Sequence, residues 1–307
     1  MKNTASVTPE TNAMFNPDKH LGEKIRELRK QRGITQKDLA GDKITRNMLS
    51  LIESGNASPS VSTLLYIAER LGTPAGYFFA STPEEEGRFL KMTISAELRE
   101  QFGIRHFREC ERICLELPSA AFDDEISYIL AVSYLNTASD HAYTLDFRPA
   151  FADLDKAEKY AASTIYCGTE FSRALMFYRT LFRAVATDEF PEILCDPSVC
   201  GEHVPYSLVQ YFITLKLLRS GENYTSVFPA GSYPERHITA LNMVMEERIT
   251  EGVKRLRELS LDPSLPYYMQ YRVLSDLENA ANTTGDVRLA YSSSRRKLEI
   301  IESFRIS

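Results

Sequence analysis

The chain has 307 residues, a net charge of −6 and 43% hydrophobic residues, which is enough to bury a sizeable core and suggests two domains. It contains no run of 18 or more apolar residues, which argues against a membrane-spanning helix and a membrane partner. The first 18 residues lack the apolar segment of a secretion signal, and the five cysteines are an odd number. Both features indicate a cytoplasmic protein with reduced thiols.

Charge is distributed unevenly along the chain. Residues 18–80 hold ten Lys and Arg against seven Asp and Glu, a net charge of +3, whereas residues 81–307 carry −9. The mildly basic segment 18–80 is compatible with nucleic-acid contact, and the acidic segment 81–307 should face away from a phosphate backbone. Residues 1–17 are polar and are predicted to form a disordered tail.

The first two predicted helices are short and well delimited. The segment 20–32, HLGEKIRELRKQR, has apolar residues at spacings of four and three, and Gly33 follows its last turn. Thr35 can cap a second helix over residues 36–40, which Gly41 then ends.

The third predicted helix, in ITRNMLSLIESG, is polar on one side. Thr45 is its N-cap, and Ile44 and Leu49 occupy the two positions of a hydrophobic staple. Leu49 and Ile52 are predicted to point inward. The opposite face presents Arg46, Asn47, Ser50 and Ser54, so it is either solvated or in contact with a polar partner.

A fourth helix is predicted after Ser60, and a short fifth helix after Pro74 that ends at Phe79. The following segment, STPEEEGR at 81–88, is polar and acidic and is predicted to be a linker.

Residues 89–307 show helical periodicity without a convincing strand pattern, which predicts about ten helices joined by short loops. Small residues recur where the helices of a tetratricopeptide unit cross, as in the twelve-residue spacing of Ala240 and Gly252. The matches are partial. They favour a degenerate tetratricopeptide-like array, with an irregular helical bundle as the alternative.

The segments ITQKDLA and ITRNMLSLIESG together resemble the Cro/repressor-type (XRE) helix-turn-helix domain, over residues 20–79. The resemblance implies an all-α, five-helix DNA-binding domain at residues 18–80 whose third helix enters the major groove. The residues that it implies for double-stranded operator DNA are Gln36, Thr45, Arg46, Asn47, Ser50, Leu51 and Asn56. Arg29 and Glu53 match a pair that joins the first and third helices.

The predicted roles within this set differ. Arg46 and Asn47 can bond guanine and adenine, Ser50 can contact either base class, and Leu51 can meet a thymine methyl. Gln36 and Asn56 resemble contacts to the phosphate backbone, which fix register without reading sequence. The turn is one residue shorter than usual between Gln36 and Thr45, so the second helix should end early. The sequence leaves open which residue contributes most to base recognition: Arg46, Asn47 or Leu51.

A head of this type joined to helical repeats resembles the peptide-sensing regulators of Gram-positive bacteria (the RRNPP type). The resemblance implies a homodimer and a helical-repeat domain at residues 89–307 whose concave face binds a short peptide. The residues predicted to line that face are Arg272, Ser275, Asn279 and Asn282.

Two alternatives remain for residues 89–307. The domain could serve only dimerisation or protein docking, or it could sense metal or redox state through two clusters: His106, Cys110 and Cys114, and Cys195, Cys200 and His203. Neither spacing is a known ligand signature, so we predict no metal site and no cofactor. Motifs of phosphate-binding, metalloprotease and serine-hydrolase enzymes are absent from the sequence, which favours a transcription regulator over an enzyme.

Overall fold

The computed structural model describes residues 17–225 and 227–305. Within these ranges all regular structure is helical, with fourteen α-helices, four short 3₁₀ helices and no strand. The prediction of an all-α fold is confirmed. The predicted tail at 1–17 lies outside the described residues except for Pro17, which begins the first helix.

In chain order, the α-helices are α1 (Pro17–Gln31), α2 (Gln36–Ala40), α3 (Arg46–Glu53), α4 (Val61–Arg70), α5 (Pro83–Gly103), α6 (Phe107–Leu115), α7 (Asp124–Tyr143), α8 (Phe147–Ala161), α9 (Thr169–Ala184), α10 (Tyr206–Ser220), α11 (Tyr233–Met245), α12 (Ile249–Ser260), α13 (Tyr267–Thr284) and α14 (Val287–Arg305). The 3₁₀ helices span Ala75–Phe79, Ser119–Ala121, Glu192–Cys195 and Pro197–Val199.

The chain divides into two compact units. The first comprises the described residues up to 104 together with 113–122, and the second comprises 105–112 and the described residues from 123 onward.

The core of the first unit is built from the apolar faces of α1 to α4 and the 3₁₀ helix that follows. Its fully buried members are Ile25, Leu39, Leu49, Ile52, Ile67 and Leu71. The hydroxyl groups of Thr35, Thr45 and Ser60 each accept a bond from the backbone N–H three residues later, so the three predicted N-caps form.

The polar segment predicted as a linker, residues 81–88, is largely helical. Thr82 caps α5, Pro83 is its first residue, and three glutamates occupy its first turn. Proline and acidic residues are suited to a helix N-terminus. The first backbone N–H groups of a helix have no partner within it, so a proline there loses no hydrogen bond, and the carboxylates interact favourably with the positive end of the helix dipole. Lys24 of α1 pairs with Glu86 at 2.6 Å and donates to the Ala80 carbonyl at 2.6 Å. The segment is therefore fastened to α1.

Consecutive helices pair in the second unit, most extensively α7 with α8, α11 with α12 and α13 with α14. The crossing of α11 and α12 is close because Gly252 has no side chain. A Cβ atom there would lie 2.9 Å from the Ala240 carbonyl oxygen and would meet Val244. The small pair selected from the sequence thus lies at a helix crossing. Two 3₁₀ helices separate α9 from α10, so the succession of pairs is not regular.

A buried polar cluster joins α10, α11 and α13. The carboxylate of Asp276 accepts from Arg219 Nη2 at 2.8 Å and from His237 Nε2 at 3.0 Å. His237 Nδ1 shares a 2.9 Å hydrogen bond with the Tyr211 hydroxyl. Burial alone would raise the pKa of Asp276, but the bond and charge of His237 and the charge of Arg219 outweigh it and hold the pKa below its usual value.

None of the helices in the described ranges has the length and apolar character needed to cross a membrane.

Candidate nucleic-acid interface

Helix α3 has one buried face and one exposed face. Leu49 and Ile52 are completely buried, whereas Arg46, Asn47 and Ser50 are exposed. Because 3.6 residues make a turn, positions 46, 47, 50, 51 and 54 share one side of the helix. The structure therefore brings the residues predicted to read bases onto one accessible surface, which also carries Leu51, 47% exposed.

The N-terminal turn of α3 is fixed by its cap. Thr45 Oγ1 accepts from the Met48 backbone N–H at 3.1 Å, so the hydroxyl satisfies an otherwise unpaired donor. Thr45 was predicted among the DNA-contacting residues, and this bond engages its hydroxyl as an acceptor. The hydroxyl proton remains available to donate to a phosphate.

Helix α2 ends early before the turn to α3, as the shortened spacing predicted. Helix α2 ends at Ala40 after five residues, and Gly41 adopts a φ of 55°, a left-handed value that favours glycine. A Cβ atom at Gly41 would also overlap the Tyr66 hydroxyl. That hydroxyl donates to the Ala40 carbonyl at 3.1 Å and so anchors the end of α2 to α4.

Arg29 of α1 and Glu53 of α3 form a two-pronged ion pair. The guanidinium donates to the carboxylate through Nε at 2.6 Å and through Nη2 at 3.0 Å, and Nη1 donates to the Ile34 carbonyl at 2.9 Å. The hydrogen bond to Glu53 raises the pKa of Arg29 further above its usual value, against the effect of burial. The pair fixes α3 relative to α1, and the bond to Ile34 holds the segment between α1 and α2.

Gln36 donates from Nε2 to the same Glu53 carboxylate at 2.9 Å. An amide nitrogen carries two protons, so this bond orients the side chain and leaves its second N–H for a phosphate. Asn56, the other predicted backbone contact, is exposed and donates to Ser54 Oγ at 2.8 Å. Both side chains are thus tied to α3.

A shallow depression lies between α1, α2 and the start of α3. Its lining includes four basic residues, Arg29, Lys30, Lys37 and Arg46, together with Gly33. Lys30 and Lys37 were not selected from the sequence, where the net charge of residues 18–80 was only compatible with nucleic-acid contact. Their position beside Arg46 makes them candidates for phosphate contact.

The residues predicted to bind a peptide do not form one open face. Arg272 and Ser275 are buried, at 0% and 3% exposure, which corrects their placement on an accessible surface. The Arg272 guanidinium donates to the Tyr268 and Ala184 carbonyls and lies 5.0 Å from the centre of the Phe212 ring. Neighbouring elements surround α13 along residues 272–277, so all six side chains in this stretch are buried.

Asn279 and Asn282 are exposed near the end of α13 and share a face of the helix. They remain available to a partner, but without Arg272 and Ser275 beside them.

A different open depression in the second unit was not found from the sequence. It has a volume of about 560 Å³ and is lined by Arg105, His106, Phe107, Arg108, Glu109, Asn136, Ser139 and Asp140. Arg105 has a φ of 61°, and its guanidinium lies 5.3 Å from the centre of the Phe107 ring. The lining comes from two segments about thirty residues apart, so no local pattern reveals it.

The cysteines of the proposed sensor clusters lie in environments that oppose thiolate formation. Cys110 and Cys114 are completely buried, and burial raises the pKa of the Cys110 thiol to about 11. Burial also raises the pKa of Cys195 and Cys200 and lowers that of His203. Among the described residues, no three His, Cys, Asp or Glu side chains are placed to share a metal ion.

Comparison with known proteins identifies a domain within the first unit. Residues 22–82 match the model of a helix-turn-helix domain. The exposed face of α3, the tight turn before it and this match together define the N-terminal part of the chain as a helix-turn-helix DNA-binding domain.

No curated protein matches the chain. Among solved structures, PlcR of Bacillus thuringiensis, in complex with the peptide PapR7 and DNA, is 16% identical, with 94% of this chain and 97% of that chain covered. The TM-score is 0.21, a value that does not establish a common arrangement of the helices.

Proposed function

We propose that this protein is a sequence-specific transcription regulator that binds operator DNA as a homodimer, with α3 as the reading helix. One observation carries the proposal. The first turn of α3 presents Arg46 and Asn47 to solvent, while the opposite face is held in the core by Leu49 and Ile52.

The chemistry of this surface suits the major groove. A guanidinium can donate two bonds to guanine O6 and N7, and a carboxamide can pair with adenine N6 and N7. The depression beside Arg46 adds Lys30 and Lys37, whose charges would meet phosphates on the flanking backbone. Base reading and backbone positioning thus come from adjacent parts of one surface.

A single head of about 60 residues contacts too little DNA for high specificity. Two heads related by a two-fold axis read two half-sites about 34–36 Å apart, which is the reason to propose a homodimer.

The test is selection of bound duplexes from a random DNA library by the full chain. We expect enrichment of an approximately palindromic site whose half-site centres are one helical turn, about 10 base pairs, or a multiple of it apart. Enrichment of no sequence at moderate salt would contradict the proposal, because a purely electrostatic binder shows no preference. Asymmetric single half-sites would contradict the dimer but not the reading helix.

For the second unit we propose that it senses a short peptide. Support comes from the depression that Arg105, Arg108 and Asn136 line, since an amide can both donate to and accept from a peptide backbone and a guanidinium can bind a carboxylate. Asn279 and Asn282 are the remaining exposed candidates on α13.

The peptide proposal is tested with a pool of synthetic heptapeptides and the full chain. A peptide that changes affinity for the selected operator should lose its effect in Asn136→Ala and keep it in Asn242→Ala, a control whose side chain is bonded to Glu246 on α11. If no pool member binds at millimolar concentration, dimerisation or docking remains as the role of this unit. Loss of the effect in Asn279→Ala alone would move the site to α13.

A further inference from the structure

Helix α14 of the second unit has two rows of side chains, of which the other described residues cover one. Ala290, Ser293 and Ile300 are buried against the rest of the unit. Near the helix end, the Phe304 ring stacks on Phe147 of α8 with 4.1 Å between ring centres. This row packs α14 onto α13 and α8.

The second row lies one residue, or about 100°, further round the helix. Val287, Tyr291 and Leu298 are 77%, 70% and 55% exposed, and Ser294 and Ile301 are partly exposed between and beyond them. The spacing is four, three, four and three residues, the heptad spacing of side chains that pack against another helix. We call residues 287, 291, 294, 298 and 301 the open seam.

An exposed apolar seam is unusual on a helix of such a stack, because outer faces that meet only solvent are polar. A single exposed leucine or tyrosine needs no explanation, but a row aligned over 14 residues, about 21 Å, does.

We propose that the open seam is the interface between two copies of this chain, with the two α14 helices packed antiparallel about a two-fold axis near residues 294–298. In this arrangement Tyr291 of one copy meets Leu298 and Ile301 of the other. The small Ser294 near the axis lets the helices approach. The inference rests on the homodimer in the proposed function and assigns it a surface.

Charge selects the second copy and its direction. Arg288 and Glu302 are both exposed and border the open seam at opposite ends. Antiparallel packing places Arg288 of each copy near Glu302 of the other, which makes two complementary contacts. Parallel packing would place the two copies of each residue on opposite edges of the interface, so neither Arg288–Glu302 contact would form.

The first test is sedimentation velocity of the full chain over a concentration series without DNA. Tyr291→Glu and Leu298→Glu each introduce a charge at the centre of the interface and should raise the dimer Kd at least tenfold. Met176→Glu is the matched control, because Met176 is 55% exposed on α9 and lies outside the seam. Far-UV circular dichroism checks that the helices are retained in every variant.

The second test reverses the charges. Arg288→Glu and Glu302→Arg should each weaken the dimer, and the double variant should restore it because both contacts between residues 288 and 302 are again complementary. A dimer that persists unchanged in the Glu variants overturns this inference and leaves the proposed homodimer intact on another surface. A wild-type chain that stays monomeric at every concentration overturns both. Failure of the double variant to recover overturns the antiparallel arrangement.

Discussion

Arg29 and Glu53 link α1 to the last turn of the reading helix through two hydrogen bonds of 2.6 and 3.0 Å, with side chains only 11% and 3% exposed. The same carboxylate holds Gln36 at the start of α2. A single buried carboxylate thus fixes three elements of the helix-turn-helix domain. Under the proposed function, reading of DNA depends on this ion pair, because the placement of α3 decides which side chains enter the groove.

Arg29→Ala is predicted to destabilise the first unit by about 3–5 kcal/mol, since it leaves a buried carboxylate without its partner. Hydrogen exchange of peptides from α1 to α3 in the full chain measures the change locally. The control is Arg248→Ala, which removes an exposed pair with Glu251 and should cost about 0–1 kcal/mol. Equal effects of the two variants would show that the Arg29 pair is not a structural link.

Gly22→Ala is predicted to destabilise the packing of α1 on α3. An added Cβ at residue 22 would overlap the carbonyl oxygen of Ile52. Because this oxygen belongs to the backbone, the overlap is relieved only if α1 and α3 move apart, which costs about 1–3 kcal/mol. Gly103→Ala is the control, because a Cβ there meets no atom within 4 Å. Thermal unfolding followed by circular dichroism should show a lower midpoint temperature of the first transition for Gly22→Ala and no change for Gly103→Ala. Identical unfolding curves would contradict the close crossing.

The sequence predicted the first unit in detail because its signals are local. Thr45 and Ser60 are caps that act within one turn, and Leu49 and Ile52 follow the periodicity of a single helix. The residue order alone also placed Arg46 and Asn47 on the exposed face. The helical conformation of residues 83–88 was not predicted, because Pro83 and the glutamates after it suit both a loop and a helix N-terminus.

The second unit was predictable only as helical. Arg272 and Ser275 have polar side chains at helical spacing, which indicated an open face, but partners far along the chain bury them. Ser275 donates to Asp188 at 2.7 Å, and Arg272 bonds the Ala184 carbonyl. Such contacts depend on tertiary packing, which periodicity does not encode. The depression around Asn136 was missed for the same reason.

Asp276→Asn is predicted to destabilise the second unit by about 3–5 kcal/mol, because it leaves the half-buried Arg219 guanidinium without its closest carboxylate. The folded-state pKa of Asp276 is lowered. The carboxylate therefore stabilises the fold above its unfolded pKa of about 3.9, and this stabilisation is lost as the pH falls through the folded value. Urea unfolding at pH 7 and at acid pH should show that the wild-type chain has the larger free energy of unfolding and that this difference decreases on acidification. A difference that is the same at all pH values would contradict an ionised Asp276.

Cys110 is predicted to resist alkylation in the native chain. Its thiol is buried and its pKa is raised to about 11, so thiolate is scarce at pH 8 and increases as the pH approaches 11. Iodoacetamide labelling read by mass spectrometry should leave Cys110 unmodified at pH 8 and modify it in urea. Rapid native labelling at pH 8 would point instead to the redox-sensing alternative.

Gln36→Ala and Lys37→Ala are predicted to weaken binding to all DNA sequences alike, because both side chains are proposed to contact the phosphate backbone and not the bases. For Lys37→Ala the slope of log affinity against log salt should fall by about 1, the loss of one phosphate contact. Fluorescence anisotropy on the selected operator and on a scrambled duplex, over a salt series, measures both quantities. A change in base preference would contradict a backbone role.

The central claim is that α3 reads bases through Arg46. The most direct measurement is the affinity of the full chain and of Arg46→Ala for the selected operator and for every single-base variant of one half-site. We predict that the substitution costs about 1–3 kcal/mol and removes the preference at one position while the preferences elsewhere persist. If Arg46→Ala binds all the duplexes with the wild-type affinities and preferences, α3 does not read the operator in this way.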